Sequence, residues 1–178
     1  MFKSIAVFGA IAGLIVGIPL FLITTFAGKD IGGGLGLLVG YTTMLVALSF
    51  VFVAVKRRRD ADLGGVIGFW PALGLGLGIS VVAGIFYVVA WEAALAVTHM
   101  DFAGEYARAT IAQAQAKGIS GEAMEQLRAQ MDQFKAQYAN PLYRVAETFA
   151  EIFPVGVIVS IISAALLCNR RFLPARRT

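Results

Sequence analysis

Cysteine and histidine each occur once in the 178 residues, which excludes a disulfide framework, a multi-cysteine zinc or iron–sulfur site and a multi-histidine metal centre. Charge is scarce as well. Only 15% of residues are charged and 58% are apolar, against roughly 25% and 45–50% in ordinary soluble chains. With a mean hydropathy of +0.77, that excess excludes a soluble domain and calls for lipid as solvent. No nucleophile has a base at a recognisable spacing. Gly32-Gly33-Gly34-Leu35-Gly36 has neither a preceding strand nor a following Lys-Ser or Lys-Thr, so it reads as a turn rather than a phosphate loop. Neither an enzyme nor a cofactor is expected.

What the chain has is length in its apolar runs. Ile5–Phe26, Leu35–Val55, Pro71–Trp91 and Thr148–Leu167 each approach or exceed the roughly 20 residues that cross a hydrocarbon core as a helix. They are continuously apolar, without the period-two alternation of barrel strands. The first run follows Lys3 and ends near Thr25-Phe26-Ala27, as a signal peptide does. Its apolar stretch is too long for a signal's apolar region of about 7–15 residues, so it reads as a retained anchor.

Lys and Arg set orientation, because they stay on the cytoplasmic side. Lys3, the run Lys56, Arg57, Arg58 and Arg59, and Arg170, Arg171, Arg176 and Arg177 fall on one side, whereas the link Gly28–Gly34 holds Lys29 offset by Asp30. The expectation is a bacterial inner-membrane protein, multi-pass, with both termini cytoplasmic and the segment Glu92–Glu147 in the periplasm. The basic run holds the second and third helices in place and can also address anionic headgroups, which makes membrane lipids the expected partners; nucleic acid is not expected.

The outer segment has order of its own. Met124, Leu127, Met131, Phe134 and Tyr138 recur at steps of three and four, the seam of a helix that packs on another. Phe102, Tyr106, Ala109, Ala112 and Ala116 form a smaller stripe. Gly118 offers a helix stop, Ser120 an N-cap and Asn140-Pro141 a further break. The sequence therefore predicts an all-α single membrane domain over 1–178: four transmembrane helices, with an extramembrane helical hairpin at about 98–140 between helices three and four. No proline interrupts Ala72–Ala103, so the third helix is expected to run on into the hairpin.

Lipid gives no hydrophobic reward for helix contact, so small residues must supply close approach. Gly9, Gly13 and Gly17; Gly32, Gly36 and Gly40; and Gly68, Gly76 and Gly84 with their small neighbours form three stripes. These serve either packing within one bundle or a dimer surface. Carboxylates near the outer edge are the natural places for chemistry. Glu92, Glu147 and Glu151, with His99 and Asp101, compose either an ion or proton site or an interfacial ion-pair cluster with Arg144. A metal site is not expected.

Tyr41-Thr42-Thr43-Met44, Lys56–Asp60 followed by Gly64-Gly65-Val66-Ile67-Gly68-Phe69, Tyr87–Glu92, Asp101-Phe102, Tyr106, Asn140-Pro141 and Glu151-Ile152-Phe153-Pro154-Val155-Gly156 together carry a resemblance. Over nearly its whole length the chain resembles the bacterial membrane family called domain of unknown function 4199. That resemblance implies a four-helix inner-membrane protein and brings no catalytic residues; Trp70-Pro71 departs from the family pattern, where more polar residues are usual. The functional expectation is an interaction or assembly subunit acting through its hairpin, as a homo-oligomer or in a larger assembly. The alternative is an oligomeric transporter or channel subunit using the outer carboxylates.

Overall fold

A computed structural model describes residues 1–26 and 34–174, with side-chain surroundings in the second stretch from residue 38 onward. Among these residues every regular element is helical: α1 (Phe2–Phe26), α2 (Gly34–Arg57), a π-helical turn (Arg58–Asp62), α3 (Phe69–Thr98), α4 (Phe102–Ala116), α5 (Glu122–Tyr138) and α6 (Pro141–Leu167). Four stretches are long and apolar enough to cross a membrane: Phe2–Phe26, Leu38–Asp62, Phe69–Thr98 and Pro141–Leu167. Lys29, Asp30, Gly32, Arg176 and Arg177 lie outside the described residues.

Two compact units divide the chain, Met1–Ala94 with Thr148–Thr178, and Leu95–Glu147. In the first, the core is one cluster fed by all four long helices, with Ala12, Leu48, Ile79 and Ala164 at 0% exposure. Met44, Ala47, Leu48, Val51, Ala54 and Val55 supply the α2 side at helical spacing.

Glycines set the approach of α1 to α3. A methyl added at Gly13 would lie 2.5 Å from Phe86 Cβ, one at Gly9 2.5 Å from Val82 Cβ, and one at Gly17 3.2 Å from Ala90 Cβ. Each four-residue step along α1 meets a four-residue step in the same direction along α3, so these helices run parallel. Numbering runs oppositely between α3 and α6: Gly76 faces Ser160 and Gly156 faces Ser80. Proline is accommodated in three ways. Pro71 sits in the first turn of α3 and Pro141 opens α6, where their missing N–H groups have no intrahelical partner to lose; α1 and α6 continue through Pro19 and Pro154.

In the second unit α4 and α5 are joined by a tight turn and touch through aromatic rings: Phe102 and Tyr138 centroids are 5.4 Å apart, Tyr106 and Phe134 5.5 Å. Gly118, at φ +79°, closes α4 in a Schellman arrangement, with Ile119 N donating to Ala114 O at 3.0 Å and Gly118 N to Gln115 O at 2.9 Å. Two local expectations are corrected. The third helix does not run unbroken past Ala103. It stops at Thr98, His99 turns left-handed at φ 51°, and Asp101 restarts the chain as the N-cap of α4. Nor does Ser120 cap α5: that place belongs to Gly121, whose φ of 61° and ψ of −141° suit only glycine and whose carbonyl accepts from Met124 N at 3.0 Å.

Candidate functional site

Arg59 has a side chain that is 0% exposed. The π-helical turn after α2 carries it inward, while Gly64 and Gly65 at positive φ reverse the chain and Gly65 N donates to Arg59 O at 2.8 Å. Arg59 Nη1 donates to Phe172 O at 2.9 Å and Leu167 O at 3.5 Å, Nη2 donates to Leu173 O, and Nε donates to Asp60 Oδ1 at 2.7 Å. A planar fork with five fixed donors suits this task as an ammonium does not. It donates to one carbonyl at the C-terminal end of α6, Leu167, and to two in the turn beyond it, Phe172 and Leu173, and its charge favours the negative end of that helix dipole.

The rest of the basic run is placed differently. Lys56 pairs with Asp60 at 2.5 Å and Arg58 with Asp62 at 2.6 Å, both one turn apart, whereas Arg57 is exposed.

The small-residue stripes take different roles as well. Gly9, Gly13, Gly17, Gly76 and Gly84 sit at close helix contacts inside the bundle; Gly84 lies under Phe149. Gly68 is near only its own Pro71, and a methyl at Gly40 would meet nothing within 4 Å. Gly36 lies in α2 without described surroundings, and Gly32 lies outside the described residues. At the α3–α6 crossing, Ser80 Oγ donates to Gly76 O at 3.0 Å and Ser160 Oγ to Gly156 O at 2.7 Å. Their oxygens lie 3.4 Å apart, each against the other helix's glycine. Both hydroxyls are thereby satisfied where burying them bare would be costly. Thr43 and Ser49 likewise bond carbonyls of their own helix, while the buried hydroxyl of Thr25 near the end of α1 has no partner among the described residues.

Of the candidate ion-site residues, Glu92 and Glu151 fall in the first unit and His99, Asp101 and Glu147 in the second. Tyr87, only 5% exposed on α3, donates its hydroxyl to Glu151 Oε2 on α6 at 3.0 Å. Glu151 is otherwise on the outside of the bundle, and Glu92 is half-buried. Asp101 is engaged locally: its Oδ1 accepts from Gly104 N at 3.0 Å, and its carboxylate overlies Gly104 so closely that no β-carbon fits there. His99 and Glu147 are exposed. Among the described residues no three His, Cys, Asp or Glu side chains group so as to hold a metal ion.

The α5 seam faces α4. Met124 and Tyr138 are buried, Leu127, Met131 and Phe134 half-buried, and Arg144 lies over the Tyr138 ring at 5.9 Å. The residue that sequence reasoning missed is Arg59 as a clamp. Its signal was present in the flanking Asp60 and the Gly64-Gly65 reversal, but four consecutive cations conceal which one turns inward.

No curated protein and no solved structure matches the chain. The family described as protein of unknown function (DUF4199) matches over residues 7–169, from early in α1 to just past α6. The chain, with its four apolar helices and the basic segment between the second and third, belongs to that family.

Proposed function

We propose that this is a multi-pass protein of the bacterial inner membrane that works by assembly rather than catalysis, as a homo-oligomer or as a subunit of a larger membrane complex. In this reading both termini are cytoplasmic, and α4 and α5 form an extramembrane hairpin on the periplasmic face. The supporting observation is the Ser80–Ser160 crossing. The hydroxyls there bond the backbone, and glycines close the space between α3 and α6, so at that level the polar side chains of the two helices serve packing. The hairpin seam is turned onto α4, which leaves Tyr106, 49% exposed at the edge of the aromatic cluster, as the anchor for a partner. A photocrosslinker at Tyr106 in intact membranes is expected to capture a second copy or another subunit. Capture within the chain alone contradicts the reading.

A second reading, an oligomeric transporter or channel subunit, draws support from the Tyr87–Glu151 hydrogen bond, which gives a carboxylate in an apolar helix a proton-bearing neighbour. Under it, Glu151→Gln lowers proton or ion flux in reconstituted vesicles without loss of folding. Flux no higher than that of empty vesicles removes it.

A further inference from the structure

We infer that Glu151, with Tyr41 and Tyr87, forms a binding site for an ammonium group toward the end of the bundle opposite the Arg59 clamp. Three helices contribute, and contacts elsewhere fix their register. A methyl added at Gly156 on α6 would lie 2.6 Å from Ser80 Cβ on α3 and 3.7 Å from Leu48 Cδ2 on α2, so the three helices meet at that level. Arg59 on α2 adjoins Leu167 on α6, and the step from Leu48 to Arg59 equals that from Gly156 to Leu167, so α2 and α6 run parallel and in register. Seven residues make about two turns, or about 10 Å, and return to nearly the same face. One such step away from the clamp leads from Leu48 to Tyr41, from Ser80 to Tyr87 and from Gly156 to Phe149.

Two contacts mark the same level independently. A methyl at Gly84 on α3 would lie 2.6 Å from Phe149 Cε2, and Tyr87 donates to Glu151 Oε2 at 3.0 Å. Tyr87 reaches the carboxylate from within the bundle at 5% exposure, whereas Tyr41, on the row of α2 that faces α6, is 46% exposed and Glu151 is exposed too. Phe149 stacks on Phe153 with centroids 5.2 Å apart. One carboxylate among aromatic rings matches an ammonium, which asks for a single counter-charge and is attracted to ring faces. A divalent metal asks for more donors than one carboxylate, and among the described residues no three His, Cys, Asp or Glu group together. The depth suits an amphipathic ligand. Glu151 precedes the clamped Leu167 by about 24 Å of helix, near the far side of a hydrocarbon core of about 30 Å. The site rests on the membrane-spanning reading and names a ligand for the carboxylate of the transport reading, but it needs no flux: vesicles without flux leave it standing.

The test uses the full-length chain purified in neutral detergent, with retained ligand counted by native mass spectrometry. The probes are phosphatidylethanolamine, octylammonium as a free amine, and phosphatidylglycerol, which has no ammonium. An ammonium-bearing probe is expected to be retained above phosphatidylglycerol, and E151Q and Y41L each to weaken that retention several-fold, the size of one exposed charge or ring contact. Y41F keeps the ring and is expected to bind as the native chain does, as is E122Q, which removes a carboxylate from the other unit. Glu151-dependent retention of phosphatidylethanolamine assigns the ammonium to a lipid headgroup; dependence for octylammonium alone assigns it to a free amine. Retention of neither above phosphatidylglycerol overturns the site, as does retention undiminished in both E151Q and Y41L. Should E151Q lower the unfolding temperature, Y41L at the exposed ring decides alone, and no change in it contradicts the site.

Discussion

Arg59 Nη1 reaches the backbone oxygen of Phe172 at 2.9 Å, across more than a hundred residues of chain and from a side chain wholly removed from solvent. The consequence is asymmetric. Removing the guanidinium takes the donor from three carbonyls and leaves Asp60 with Lys56 alone, whereas removing the exposed Arg57 breaks no hydrogen bond. Arg59→Ala is expected to cost about 3 kcal/mol, the usual order for breaking a buried charge arrangement from one side. Arg59→Lys is expected to recover only part of it, because an ammonium cannot span three carbonyls. Thermal unfolding in detergent, with limited proteolysis after Leu167, measures both; an Arg59→Ala variant as stable as the native chain refutes the clamp.

At the α3–α6 crossing the prediction concerns space rather than hydrogen bonding. A methyl at Gly76 would lie 2.8 Å from Ser160 Oγ and 3.0 Å from Val51 Cγ1, with two helices having to move. Gly76→Val is expected to lose about 2 kcal/mol or more by overpacking. Ser80→Ala removes a hydroxyl bonded mainly to its own helix, and the loss is expected to stay below about 1 kcal/mol. Equal losses contradict the packing role given to the glycine.

The restart of the chain after His99 depends on one side chain. Asp101→Ala removes the acceptor for Gly104 N and is expected to cost about 1 kcal/mol, visible as faster amide exchange in the first turn of α4. Asp101→Asn is expected to retain most of it. Unchanged exchange in Asp101→Ala removes the cap.

For the aromatic contact between α4 and α5, Phe134→Ala is expected to raise amide exchange along both helices while leaving that of α2 unchanged, since Tyr106 and Phe134 belong to one unit and α2 to the other. Uniform change across the chain contradicts that independence.

How much of this was legible follows from how each feature is encoded. The four long helices are written as continuous apolar runs, a one-dimensional property that needs no partner: the runs Ile5–Phe26 and Thr148–Leu167 were recognisable from composition, though α6 begins earlier, at Pro141, across Arg144 and Glu147. Gly118 was legible because a helix stop of the Schellman type asks for positive φ, which glycine meets without strain. The break at His99 was hidden, since neither proline nor glycine marks it and a non-glycine residue takes the left-handed conformation. Ser120 misled because its side chain can cap, while the observed cap uses the backbone freedom of Gly121. Stripe spacing revealed Gly9, Gly13 and Gly17 as a contact surface but not that α3 covers them, because the pairing of helices is a three-dimensional outcome. Arg59 was illegible for a related reason. A run of four cations has no period, and only the π-helical turn decides which one points inward.

Sidedness is the most direct test of the four-span reading, and Cys168, the one cysteine of the chain and an exposed one, allows it without new chemistry. A membrane-impermeant maleimide applied to intact cells is expected to leave Cys168 unlabelled until the membrane is permeabilised, and to label Lys117→Cys in a Cys168→Ser background from outside. Labelling of Cys168 in intact cells, or protection of both positions there, contradicts it.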